Sequence, residues 1–137
     1  MVRAKLQSWA LTGVLVSLLG CGGGGGGSPP STPAPPVSDT TAPSVPANLQ
    51  ATAPAATQVQ LSWSASTDSG GSGLAGYHVY RNGSATPLAT PTVNSYTDNS
   101  VAAGTTYSYR VSAIDAATPA NESALSAATS VTTPAAV

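Results

Sequence analysis

Charge is what this chain has least of: only 7% of its 137 residues are Asp, Glu, Lys or Arg, and Phe does not occur. Exposed helices draw support from Glu–Lys pairs three or four residues apart, and a chain this poor in both has no material for them. Cysteine occurs once, at Cys21, which excludes an intramolecular disulfide and a thiolate-based metal site. Two of the four basic residues, Arg3 and Lys5, fall within the first five positions. If that segment is removed, Arg81 and Arg110 face Asp39, Asp68, Asp98, Asp115 and Glu122, a net charge of −3. No basic patch is left to neutralise a phosphate backbone, which excludes nucleic acid as a partner.

The residues that are abundant, Ala, Ser, Thr, Gly and Pro, divide the chain into unlike parts. Over about the first 45 residues there is no amphipathic period. The remaining stretch of about 90 residues is enough for one small domain, and its Thr, Val and Tyr favour strands.

Arg3 and Lys5 precede an apolar stretch, Leu6 to Leu19, in the layout of a secretory signal. At 14 residues it is short for a span, because a helix needs about 20 to cross about 30 Å of hydrocarbon. It ends in Leu18-Leu19-Gly20-Cys21, which resembles the bacterial lipobox: a Leu three residues before the cysteine and a small residue just before it direct cleavage ahead of the Cys. The resemblance implies a lipoprotein signal peptide over 1–20 and acylation of Cys21 on its thiol and its freed amine, so that membrane lipid is a partner. At about 0.8 kcal/mol per buried methylene, several acyl chains hold a protein on a membrane. Gly22, and not Asp, follows Cys21, which by the same resemblance implies the outer membrane of the cell envelope. The alternative is an ordinary signal with a free Cys21.

Gly22 to Gly27 is an unbroken glycine run, followed by Ser28-Pro29-Pro30-Ser31-Thr32-Pro33-Ala34-Pro35-Pro36. Such a segment cannot bury enough apolar surface to pack. We read residues 21–42 as a disordered tether, a flexible glycine coil and then extended polyproline II at about 3.1 Å per residue.

Short alternating runs between turn signals fill residues 43–134, the pattern of an all-β sandwich, with a tail at 135–137. Val59, Leu61 and Trp63 alternate with Gln60, Ser62 and Ser64, and Tyr77 and Val79 with His78 and Tyr80. Asn82-Gly83 is a two-residue turn signal that closes a hairpin after Arg81. Tyr107, Tyr109, Val111 and Ala113 alternate with Ser108, Arg110, Ser112 and Ile114 in the longest strand that can be read.

The stretch from about Ala42 to Thr133 resembles a fibronectin type III domain of the kind appended to bacterial secreted glycosidases. The resemblance is carried by Pro46-Ala47-Asn48-Leu49, Leu61-Ser62-Trp63, Gly76-Tyr77-His78-Val79-Tyr80-Arg81-Asn82-Gly83, Tyr96-Thr97-Asp98, and Gly104-Thr105-Thr106-Tyr107 leading to Val111-Ser112-Ala113. It implies a seven-stranded antiparallel immunoglobulin-like sandwich. It also implies that Trp63 fills the core and that Tyr107 is the tyrosine corner, its hydroxyl bonded to upstream backbone. With these two, the expected core is Leu49, Val59, Leu61, Tyr77, Val79, Leu88, Tyr96, Val101, Tyr109, Val111, Ala113 and Val131.

Chemistry is harder to find. The single histidine, His78, sits mid-strand with no Cys, Asp or Glu near it in sequence, and no Gly-x-Ser-x-Gly elbow leads into a helix. Glycoside hydrolysis needs paired carboxylates, one in an apolar pocket, whereas the five acids here lie on loops and strand ends and none reads as buried. Asp68-Ser69-Gly70-Gly71-Ser72-Gly73 has the Asp and Gly of a calcium loop but offers one carboxylate where calcium takes six to eight oxygens, so it reads as turn chemistry. Asn82-Gly83-Ser84 and Asn121-Glu122-Ser123 match the glycosylation tripeptide by chance.

We therefore expect no enzyme activity, no catalytic or metal-binding residue and no cofactor. The surface with binding character is His78 and Tyr80 on one strand beside Arg110 on its neighbour, where an aromatic ring and a guanidinium suit a glycan or protein partner. The leading expectation is a non-catalytic, membrane-anchored surface module for adhesion, spacing or weak glycan or protein binding. The alternative is a fragment or accessory domain of a polysaccharide-degrading, chitinase-like enzyme. A purely structural envelope protein is a third.

Overall fold

The computed structural model describes residues 38–137; Cys21, the segment 1–20 and most of the tether lie outside the described residues. Six strands follow one another: β1 (Ala47–Ala55), β2 (Gln58–Ser64), β3 (Leu74–Arg81), β4 (Ser95–Asp98), β5 (Thr106–Asp115) and β6 (Thr129–Thr132). They form two antiparallel sheets, β1-β2-β4 and β3-β5-β6, with no helix among the described residues.

The alternation read from the sequence sets the faces. Val59, Leu61 and Trp63 turn inward from β2, Tyr77 and Val79 from β3, and Tyr107, Tyr109, Val111 and Ala113 from β5, with Val101 completing the buried cluster. Leu49, Leu88, Tyr96 and Val131 are half-buried and pack around it. The Trp63 and Tyr77 rings meet edge to face, centroids 5.3 Å apart, a geometry that adds about 0.5–1.5 kcal/mol beyond the area buried. Tyr77 Oη also accepts the Ser66 amide at 3.0 Å.

Six regular strands stand where seven were expected. Leu88-Ala89 occupies the place of the seventh but makes one bridge only, between Ala89 and Val79. Pro87 and Pro91 flank it, and a residue without an N–H cannot extend a ladder. The Val79 and Tyr77 amides are still satisfied, by Ala89 O and Pro91 O, each at 2.9 Å. The turn before it is as read: Asn82 and Gly83 have φ of 52° and 73°, and the Ser84 amide returns to Arg81 O at 3.1 Å.

Two acids are buried, contrary to the sequence reading. Asp98 is 0% and Asp115 2% exposed. Each continues the inward row of its own strand, Asp98 after Tyr96 and Asp115 after Ala113, and each is surrounded by donors that replace water. Ser112 faces outward as expected but is fully buried there, because the chain after β5 folds back over it.

Candidate functional site

His78 and Tyr80 leave β3 on its outer side, and β5 presents Ser112 opposite His78 and Arg110 opposite Tyr80. The segment after β5 bridges back at Ile114–Glu122 and lays the Glu122 carboxylate over this face. One oxygen, Oε1, accepts from Ser112 Oγ at 2.5 Å, from Tyr80 Oη at 2.9 Å and lies 3.1 Å from His78 Nδ1. Partial burial raises the Glu122 pKa, but the bonds from Ser112, His78 and Tyr80 outweigh it and hold the carboxyl below its ordinary value. Tyr80 is pushed up, by burial first and by Glu122 second.

These residues do not make a hydrolytic triad. A serine nucleophile needs its hydroxyl on the imidazole and the acid behind the imidazole. Here Glu122 stands between, and Ser112 Oγ and His78 Nδ1 both address the acid. The cluster fixes side chains and generates no nucleophile.

Arg110 does not join Glu122. It is exposed and lines, with Tyr80, Asn82, Ser84, Ser108 and Leu125, a shallow groove of about 530 Å³. Of the three residues expected to share a binding surface, Tyr80 and Arg110 thus share a groove, while His78 lies behind Tyr80, the rings edge to face at 6.2 Å. The four aromatic residues assigned to the core stand inside: Trp63, Tyr77 and Tyr107 are buried and Tyr96 half-buried. Tyr107 Oη accepts the upstream Ala102 amide at 2.8 Å.

Sequence reasoning missed Glu122, which lies 44 residues from His78 and in sequence belongs only to a chance tripeptide. It also missed a carboxylate cluster at one end of the sandwich. Asp39, Asp68 and Asp115 each place an oxygen within 4.8 Å of the others, so the Asp68 loop does not stand alone. These are the described residues that could hold a hard cation, and protein donors already occupy them. Asp39 accepts from Ser72 Oγ at 2.5 Å and the Ser72 and Thr41 amides, Asp68 from the Gly70 and Gly73 amides, and Asp115 from Asn121 Nδ2 and the Asn121 and Ala117 amides. The Ser72 hydroxyl, then the Thr41 and Ser72 amides, hold the Asp39 carboxyl below its ordinary value. Asp115 is likewise low, burial opposing and Asn121 prevailing.

Residues 42–129 match the Fibronectin type III domain. The chain belongs to that family. Exoglucanase B of Cellulomonas fimi is 57% identical over 95 residues, 69% of this chain and 8% of that protein. Chitinase ChiA74 from Bacillus thuringiensis superposes with a TM-score of 0.60 at 30% identity, over 70% of this chain and 14% of the other. An Fn3-like protein from Clostridium thermocellum superposes at 0.54 and 31% identity, over 71% of this chain and 99% of the other. The chain thus spans only a small part of the enzymes it resembles.

Proposed function

We propose that the chain is a non-catalytic accessory module that works beside polysaccharide breakdown at the bacterial cell envelope. Its domain would stand at the end of a tether that starts at Cys21 and stops short of the expected residue 42, because Asp39 already bonds Ser72 and Asn121 of the sandwich, with acylated Cys21 holding it on the outer membrane. The observation that carries the reading is the recurrence of this domain, at 57% identity, within an exoglucanase of which it forms a small part. That recurrence supports a module that accompanies catalytic domains and does not itself supply the reaction. The outer face around Glu122 fits this role, since its acid, imidazole and hydroxyl satisfy one another.

A second reading, that the domain accompanies a catalytic domain on the same polypeptide, is favoured by the same relatives. A reading frame continuing past Val137 into a hydrolase domain would establish it and displace the free-standing module.

The anchor is tested by expressing the full chain in a Gram-negative host, separating membrane from soluble fractions, and taking the intact mass. The expected product starts at Cys21, carries acyl chains and sediments with membranes, and Cys21→Ala moves it to the soluble fraction. An unmodified mature chain would mean a freely secreted module.

A further inference from the structure

The outer face of the β1-β2-β4 sheet carries no ionisable side chain. Alternation exposes Gln50 and Thr52 of β1, Gln60 and Ser62 of β2, and Ser95 and Thr97 of β4. The pairing register aligns them in two rows across the strands, Thr52–Gln60–Thr97 and Gln50–Ser62–Ser95. With strands about 4.8 Å apart and like-facing residues about 6.7 Å apart along each strand, the rows form a regular grid of four hydroxyls and two amides. All six line one shallow depression of about 290 Å³.

Two observations separate this face from the rest of the surface. Charge is placed elsewhere: Asp39, Asp68 and Asp115 cluster at one end, His78, Arg110 and Glu122 lie on the other sheet, and Arg81 pairs with Asp98 inside. The polar groups here are also free. Gln58 bonds Asn99, Asn48 bonds Ser64, and Gln60 reaches Gln58 only at 3.5 Å. Among the described residues, the side chains of Gln50, Thr52, Ser62, Ser95 and Thr97 have no hydrogen-bond partner. On the opposite sheet Ser112 and Tyr80 donate to Glu122, and the Thr106 and Thr132 hydroxyls bond each other.

Hydroxyls and amides both donate and accept, so they match a ligand that is itself covered in hydroxyls. Docking such a ligand desolvates no ion, whereas covering an unpaired charge is strongly unfavourable. The absence of charge also gives no advantage to an anionic or cationic partner. An open sheet face suits an extended chain or a polymer surface better than a compact molecule. We propose that this face lies against the surface of a neutral polysaccharide. The proposal rests on the accessory-module reading and names its contact surface and ligand class.

The test is retention of the full chain, in mild detergent, on insoluble cellulose and insoluble chitin. Thr52→Ala/Ser62→Ala/Thr97→Ala removes three hydroxyls, and Ser62→Asp puts a charge at the centre of the grid. Each is expected to lower retention at least tenfold with an unchanged thermal midpoint, while Thr106→Ala/Thr132→Ala, exposed on the other sheet, leaves retention unchanged. Loss in Tyr80→Ala/Arg110→Ala alone would place binding on the opposite sheet, overturning this assignment and leaving the module reading intact. Failure of the unaltered chain to be retained on either polymer would also overturn it, with the module reading then decided by fractionation. A change of solution mass in the face variants, without a change in retention, would show the face to be a contact between copies and overturn it as well.

Discussion

Arg81 and Asp98 join the two sheets of the sandwich: Arg81 Nη1, from β3, lies 2.8 Å from Asp98 Oδ2, at the end of β4. The same oxygen accepts from Tyr109 Oη at 2.8 Å, and Oδ1 accepts the Ser100 amide and hydroxyl at 2.8 and 2.6 Å. The guanidinium also reaches Ser100 O and Oγ and lies 5.3 Å from the centre of the Tyr107 ring. A carboxylate with no exposed surface is thus held by four donors from three side chains and one amide.

Removing one member of such a group leaves the others unsatisfied. Asp98→Ala is expected to destabilise the domain by about 3–5 kcal/mol, the range for breaking a buried pair from one side. Small domains have a margin of about 5–15 kcal/mol, so the variant should unfold at markedly lower denaturant. Asp98→Asn keeps the shape and some of the bonds and should fall between. A denaturation midpoint for Asp98→Ala within error of the unaltered protein would show that the pair does not hold the sheets together.

The same carboxylate sets the response to acid. Burial raises the Asp98 pKa, and the bonds from Ser100, Tyr109 and Arg81 more than reverse it, so the folded value is below the ordinary one. A group shifted down on folding adds stability above its unfolded pKa, and that stability is lost as pH falls through the folded value. Asp39, Asp115 and Glu122 are shifted the same way. The thermal midpoint should therefore be steady near neutrality and fall below about pH 4, near the unfolded carboxyl pKa. Asp98→Asn should flatten the fall, and an equally steep fall in that variant would assign it to the other carboxyls.

The tyrosines give the opposite sign. Tyr109 is pushed up strongly, by burial first and by Asp98 next, and Tyr80 and Tyr96 are raised chiefly by burial. A tyrosine raised on folding contributes stability below its unfolded pKa of about 10, and loses it as pH rises through the folded value. Phenolate absorbance should therefore rise in two stages, the later one accompanying unfolding. A single stage near pH 10 with the fold intact would mean that these hydroxyls are open to solvent.

Much of the fold was legible because alternation is a local signal. Val59-Leu61-Trp63 and Tyr107-Tyr109-Val111-Ala113 each declare a face on their own, and Asn82-Gly83 declares its turn. What stayed hidden was polar. Asp98 has the parity of Tyr96, and Asp115 that of Ala113, so both extend inward rows; a reading that counts apolar residues stops one position short. Continuing the parity would have found them. Glu122 had no such signal, since its meeting with His78, Tyr80 and Ser112 depends on how the chain returns after β5. The neutral grid was half visible, in Gln60 and Ser62, but its rows exist only once β1 and β4 are in register beside β2.

At the Tyr107 corner one hydroxyl serves one backbone group. Tyr107→Phe keeps the ring in the core and removes the acceptor of the Ala102 amide. A buried donor without a partner costs about 1–3 kcal/mol, and the denaturation midpoint should drop accordingly. An unchanged midpoint would mean that water satisfies the Ala102 amide and that the corner is held by ring packing alone.

Gly76 tests how closely the edge of β3 is covered. A Cβ there would stand 2.8 Å from Pro91 O and 3.4 Å from Thr92 Cα, and Pro91 O is the acceptor for the Tyr77 amide. The obstruction is backbone, so it cannot swing aside as a side chain would. Gly76→Ala must push the 88–92 segment off β3, weakening that bond and the Val79–Ala89 bridge together. Overpacking of this kind costs about 1–3 kcal/mol. The loss should appear as faster amide exchange at Tyr77 and Val79, ahead of the β5 amides. Uniform acceleration across both sheets would instead mean that the segment is part of the cooperative core and not a cover laid along its edge.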